Sequence, residues 1–186
     1  MAKKLVVVVD MQKDFIDGAL GTEEAPKIVA RCAYKIKSSV ENGDIVVFTR
    51  DTHSEDYSAT EEGKNLPVPH CIKGSDGWQV VSELTELAPN APIIDKETFG
   101  SRYLGEMAAE LVYKGDVDEI HLFGLCTDIC VISNALLLKA FCPNTPIYVD
   151  ASCCAGVTPA SHENAIRAME SCHIHITGKG VEPWRS

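Results

Sequence analysis

Short β-branched runs alternate along the chain with stripes of helical period. Residues 5–10 (LVVVVD), 44–51 (DIVVFTRD), 91–96 (APIIDK), 119–124 (EIHLFG), 146–151 (PIYVDA) and 173–177 (HIHIT) are the expected strands. The first four are almost continuously apolar, as strands covered on both faces should be. Between the first two, Ile28, Cys32, Ile36 and Val40 recur every four residues beside Val29 and Ala33. That stripe predicts a helix with Pro26 in its first turn and Gly43 beyond its end. Residues 77–87, 102–113, 127–141 and 159–171 read as further helices, the last opened by Thr158 as cap with Pro159 after it. The 127–141 helix is apolar nearly all round and is expected to be buried. The βαβα rhythm predicts an α/β fold: a mostly parallel sheet, helices on both faces, right-handed crossovers. Residues 52–75 break it, being too polar and too rich in Gly and Pro for a core element, and a loop of that length is usually functional or disordered.

Composition narrows the class. A chain of 186 residues without a repeat or low-complexity linker reads as one domain, residues 1–186. With 45% hydrophobic and 24% charged residues it is neither disordered nor fibrous. Lys plus Arg number 17 against 27 Asp plus Glu, a formal charge of −10, which argues against nucleic acid or an anionic membrane as partner. The apolar runs are too short for a bilayer span or an export signal, so a cytoplasmic location is expected. Eight scattered cysteines with no CxxC pair then read mostly as reduced core residues rather than a disulfide framework or zinc ribbon.

In an open parallel sheet, ligands bind outside the carboxyl ends of the strands. Asp10 ends the first strand, Asp51 and His53 the second, Lys96 the third, and GLCTDIC (124–130) follows the fourth. Taken singly, each is most simply a cap or a solvated turn residue; their co-occurrence is what points to chemistry. Cys130 falls in the first turn of the expected 127–141 helix, where free N–H groups and the helix dipole favour a thiolate and can hold an oxyanion together with the Cys126 amide. A buried structural cysteine is the competing reading, and Cys126 is the rival nucleophile. Lys96 can lower the thiol pKa and Asp10 can carry its proton, although Asp10 and Lys96 equally suit a structural ion pair. Asp51 and His53, two apart in an extended segment, with His70 and either Glu61 or Glu62 make an N/O ligand set for a divalent metal, zinc first, with iron or manganese as alternatives. Cys71 is a less direct candidate. His121 reads as a hydrogen-bonded core residue, His173 and His175 as structural or edge-facing, Asp14 and Asp17 as turn residues, and Phe15 and Leu20 as walls of an apolar pocket or as pins for their own loop.

The segments VVVVDMQKDF, TRDTH…PVPHC, DKETFGS and FGLCTDICV, in this order and spacing, resemble the isochorismatase-like cysteine hydrolases, and among them are most similar to the nicotinamidases. The resemblance runs from residue 5 to about 177. It implies a Rossmann-like three-layer αβα fold with a six-stranded sheet and a non-proline cis peptide at Leu125–Cys126. It implies a triad at Asp10, Lys96 and Cys130, backbone amides of Cys126 and Cys130 as oxyanion hole, and metal ligands at Asp51, His53, His70 and, between them, Glu62. Phe15, Leu20, Leu66 and Tyr103 fall near ring-pocket positions. The implied activity is metal-assisted hydrolysis of nicotinamide to nicotinate and ammonia through a thioester, as in NAD salvage, by a homo-oligomer acting on a small-molecule amide. Two features depart from the pattern: NLPVPH places Leu66 where an aromatic often precedes the last metal ligand, and Cys126 stands where alanine is usual. Relatives acting on carbamoyl or ureido amides generally lack the metal motif, and isochorismate hydrolases lack the cysteine. A non-catalytic binding module of this fold would have no need of all three triad residues.

Overall fold

The computed structural model describes residues 3–185, so Met1, Ala2 and Ser186 of the expected 1–186 domain lie outside the described residues. The valine run becomes β1 (Lys4–Val9), in which every residue from Leu5 to Val9 is at most 2% exposed. A strand buried on both faces belongs at the centre of a sheet. It pairs in parallel with β2 (Ile45–Asp51) on one side and β4 (Glu119–Leu125) on the other. With β3 (Ile93–Lys96), β5 (Ile147–Ala155) and β6 (His175–Thr177) the order is β3-β2-β1-β4-β5-β6, parallel throughout. The direction of winding reverses between β1 and β4, which opens a crevice at their carboxyl ends.

The helices are α1 (Lys13–Ile16), α2 (Ala25–Glu41), α3 (Glu61–Asn65), α4 (Ser82–Thr85), α5 (Arg102–Tyr113), α6 (Ile132–Phe141) and α7 (Pro159–Ser171). Packing joins α2 to α4 in one layer and α5, α6 and α7 in another. The expected α2 stripe is buried at Ile28, Cys32 and Ile36, whereas Val40, in the last turn, is exposed. At α7 the cap is a reciprocal box, Thr158 accepting from Ser161 N–H while the Ser161 side chain accepts from Thr158 N–H. No helix among the described residues is long and apolar enough to cross a membrane.

Four expectations need correction. Residues 77–87 are not one helix: Lys13 N–H donates to Gln79 and Val81 N–H to Met11, so the segment satisfies its backbone against the chain after β1, and only α4 coils. The 127–141 segment opens with a π-helical turn, Thr127–Val131, and its α6 part is not buried all round, since Leu136 is exposed. Residues 52–75 hold a 3₁₀ turn at Tyr57–Ala59 and α3. His173 lies in a left-handed turn before β6 rather than in the strand, while His175 is exposed on that edge strand, one of the two placements expected of it. All eight cysteines are free, seven of them buried.

Candidate active site and metal centre

Close backbone packing sets the site. Gly124, at a φ of +131°, lies where any Cβ would sit 2.1 Å from the Val9 carbonyl oxygen, so only glycine lets β4 run this close to β1. The next residue of β1's chain, Asp10, is itself left-handed at φ +46° and fully buried. Its carboxylate accepts from the Thr49 hydroxyl at 2.6 Å. Two residues on, the Gln12 side chain accepts from Asp51 N–H at 2.7 Å and donates to the Asp51 carbonyl at 2.9 Å, bracing the end of β2. Beyond β4 the chain passes through a cis Leu125–Cys126 peptide into the π turn that carries Cys130. Ile129 and Val131 N–H both donate to the Cys126 carbonyl, which leaves Cys130 N–H out of that pairing. Asn134, buried, holds the turn from below through the Cys130 carbonyl at 2.8 Å and binds it to Phe99 and Ser101.

These elements bring Lys96 Nζ to 2.7 Å from Asp10 Oδ2, 3.1 Å from Asp51 Oδ1 and 3.4 Å from Cys130 Sγ, with all four residues buried. Burial works against the Lys96 ammonium, but Asp10, Cys130 and Asp51 outweigh it and hold its pKa above the usual lysine value. Burial pushes the Asp10 carboxyl up, with Lys96 pulling it down and Asp51 adding to the rise. Asp10 Oδ2 is engaged by the Lys96 ammonium, while Oδ1 takes the Thr49 hydroxyl. Burial, reinforced by Asp10 and opposed by Lys96, pushes the Cys130 thiol pKa up. Cys126 is likewise raised by burial, to about 12.

Beside this triad stand Asp51, His53, Glu62 and His70, one donor atom from each lying within 4.8 Å of the others. His53 Nε2 is 3.0 Å from Asp51 Oδ2 and 3.6 Å from Glu62 Oε1; His70 Nε2 is 3.5 and 3.7 Å from the same two oxygens. Metal–ligand bonds of about 2.0–2.2 Å in tetrahedral array separate neighbouring ligands by roughly 3.3–3.6 Å, so these donors fit a zinc-sized ion. His70 Nδ1 donates to the Val68 carbonyl at 2.9 Å, which turns its Nε2 lone pair inward. Burial opposes the Asp51 charge, but the two imidazoles beside it and the Lys96 ammonium hold the carboxyl well below the usual range. Glu62 rather than Glu61 reaches the cluster because Thr60 caps α3, accepting from Gly63 N–H at 3.0 Å. Gly63 permits the fold-back, since a Cβ there would lie 2.1 Å from the Tyr57 carbonyl oxygen. Glu61 faces outward toward Lys64 and Asn65. Tyr57, absent from the sequence-derived candidates, backs both imidazoles with ring centroids at 4.7 and 5.1 Å. Cys71 is buried, with its N–H bound to Asp14, and stands outside the ligand set.

A cavity of about 1150 Å³ joins the two clusters, with Cys126, Cys130 and the four candidate ligands on its walls. Its apolar side comprises Phe15, Leu20, Leu66, Ile72, Phe99 and Ile129. Tyr103 is a correction: it sits 64% exposed on α5, and Phe99 in the turn before that helix supplies the ring instead. The DKETFGS segment contains Phe99, but no periodicity marks a loop residue as pocket-facing. His121 is half-buried, bonded to Glu119 and stacked on Tyr148, away from the site.

A buried acid, ammonium and thiol thus meet at the switch point of a Rossmann-like sheet, beside a compact N/O donor set. The isochorismatase domain model matches residues 4–179, and the chain belongs to the isochorismatase family. Its fold is similar to that of Pyrococcus horikoshii pyrazinamidase, a structure in complex with zinc, at 30% identity and a TM-score of 0.80, over 94% of this chain and 98% of that one. Bacillus subtilis nicotinamidase is 29% identical with a TM-score of 0.79, over 94% and 99% of the two chains. N-carbamoylsarcosine amidase from Thermoplasma acidophilum is 27% identical with a TM-score of 0.75, over 97% and 99%.

Proposed function

We propose that this protein is a metal-assisted cysteine amidohydrolase that converts nicotinamide to nicotinate and ammonia. The observation that carries the reading is the position of Lys96, whose ammonium meets Asp10, Asp51 and the Cys130 sulfur at once and so joins a hydrolytic triad to a metal-ligand set in one cavity. Zinc, the ion that suits two imidazoles and two carboxylates at this spacing, would be held by Asp51, His53, Glu62 and His70 and would supply a Lewis-acidic anchor for a heteroaromatic nitrogen.

The chain's own groups account for the bond changes. Asp10 takes the Cys130 proton as sulfur attacks the amide carbon, so the thiolate need exist only in the attack itself. Lys96 stays charged and balances the anion as the proton moves. The N–H groups of Cys126 and Cys130 receive the developing oxyanion. Asp10 returns the proton to nitrogen, the C–N bond breaks, ammonia leaves, and a thioester remains. Asp10 then deprotonates water, which attacks the thioester; nicotinate departs and Cys130 regains its proton. Phe15, Leu66 and Phe99 enclose the ring and exclude water.

Likeness to the Thermoplasma amidase supports a second reading, hydrolysis of a carbamoyl amide by the same triad. Ammonia release from nicotinamide and from N-carbamoylsarcosine, with zinc and with a chelator, separates the two. The first reading expects nicotinamide turnover that zinc restores after chelation. Turnover of the carbamoyl compound alone, indifferent to chelation, would replace it with the second.

A further inference from the structure

A second cluster of ionisable side chains lies under the nucleophile's turn. Thr127, the first residue of that turn, is fully buried, and its hydroxyl is 2.8 Å from Nδ1 of the fully buried His162 on α7. The other ring nitrogen, Nε2, is buried without a hydrogen-bond partner and lies 3.5 Å from Glu182 Oε1. Glu182 also has a fully buried side chain; it accepts from Gly180 N–H at 3.1 Å and pairs with Arg185, which reaches on to Glu163. Trp184 closes the cluster, edge-on to His162 with centroids at 5.0 Å and donating to the Cys154 carbonyl at 3.0 Å. Glu182, Trp184 and Arg185 lie beyond the 4–179 span that the family model matches.

Although His162, Glu163 and Glu182 resemble a ligand set, Arg185 already supplies the cation between the two carboxylates. The chemistry instead fixes a direction. A lone pair on Nε2 facing a carboxylate would be repelled, so Nε2 carries the hydrogen toward Glu182 and Nδ1 accepts from Thr127. Burial holds the imidazole pKa below its usual value in spite of Glu182. The Thr127 hydroxyl is thereby drawn downward and pins the amino end of the turn bearing Cys126 and Cys130.

We infer that Thr127, His162 and Glu182 form a buried relay of positioning residues, making the 180–185 segment a strap that holds the Cys130 turn in reacting geometry. This rests on the reading of Cys130 as the nucleophile.

The test uses the full-length, zinc-loaded protein with nicotinamide as substrate and compares Thr127→Val, Thr127→Ser, Glu182→Met and the Thr127→Val/Glu182→Met double variant. Displacing a nucleophile from reacting geometry costs turnover more than binding, so T127V should lose at least about tenfold in kcat with KM within about twofold. T127S, which restores the hydroxyl, should recover to within about twofold of wild type. If both residues act through one relay, the double variant should be no slower than the worse single one. Wild-type kcat in T127V, or equal impairment in T127S, overturns the relay, and so do multiplicative losses in the double variant. If E182M fails to fold by circular dichroism, the T127V and T127S pair decides alone. Cys130→Ala run in parallel separates the levels: turnover surviving C130A removes the underlying reading, whereas normal kcat in T127V of an enzyme silenced by C130A removes only the relay.

Discussion

Replacing Lys96 by methionine tests the electrostatics of the site most sharply, because one buried ammonium serves two buried carboxylates. At an effective dielectric near 20, unit charges 2.7 Å apart attract by about 6 kcal/mol and those 3.1 Å apart by about 5 kcal/mol, much of it offset by desolvation of the ions. Without the ammonium, Asp10 cannot stay charged at zero exposure and takes up a proton on folding. Holding that proton costs about 1.4 kcal/mol for each pH unit above a carboxylate's usual ~4, or about 4 kcal/mol at pH 7. The variant should therefore be less stable than wild type by roughly 3–5 kcal/mol at pH 7. The sign follows from linkage: a carboxyl pKa raised in the folded state favours folding below the unfolded value and loses that advantage as pH rises toward the folded one. The deficit should shrink by about 1.4 kcal/mol per unit between pH 7 and pH 5. Urea unfolding of chelated wild type and K96M at pH 5, 6 and 7 measures it. A deficit independent of pH, or one below about 1 kcal/mol, would refute this view of Lys96 as the shared counter-ion.

Other expectations follow from single interactions. Because burial raises the Asp10 pKa, the acid limb of kcat/KM should lie above the ordinary carboxylate range, activity falling as pH drops and Asp10 protonates; Thr49→Val, which removes the 2.6 Å donor that holds this carboxyl down, should move the limb further up in a pH–rate profile. Gly63→Ala should force α3 off Tyr57, withdraw Glu62 and weaken zinc binding by about tenfold or more in a competition titration, while Glu61→Gln leaves it unchanged. Phe99→Ala strips an aromatic ring from the cavity wall and should raise KM for nicotinamide by roughly 10-fold or more, whereas Tyr103→Ala leaves KM unchanged.

What the chain discloses before folding depends on the range of the interaction involved. The central strands were legible because burial on both faces requires unbroken apolar runs, whereas the edge strands β3 and β6 leave residues exposed; α5 and α7 were legible because an amphipathic stripe and a cap are local. The 77–87 segment misled because Trp78, Val80 and Val81 are apolar at spacings a helix could use, while the backbone partners that hold it extended sit at Met11 and Lys13. Strand ends located Asp10, Lys96 and Asp51 once the parallel topology was inferred. Residue types and spacing nominated His53, His70 and one of Glu61 or Glu62, and the choice of Glu62 over Glu61 became clear only with the Thr60 cap and the close approach of Gly63 to Tyr57. Helix position and a nearby lysine are visible in sequence, whereas the burial and the Asp10 charge that push the Cys130 thiol pKa up are not. Gln12, Asn134, Tyr57 and the relay at His162 act through distant backbone and ring partners that no spacing reveals.

The central claim is that Cys130 forms a covalent acyl intermediate with the aid of Asp10 and Lys96. Running the zinc-loaded enzyme on nicotinamide with hydroxylamine as a competing acceptor tests it directly, because a thioester partitions between water and the stronger nucleophile. Nicotinohydroxamate should form alongside nicotinate in the wild type and be absent with Cys130→Ala. Nicotinate production without any hydroxamate, or hydroxamate persisting in the alanine variant, would contradict the mechanism.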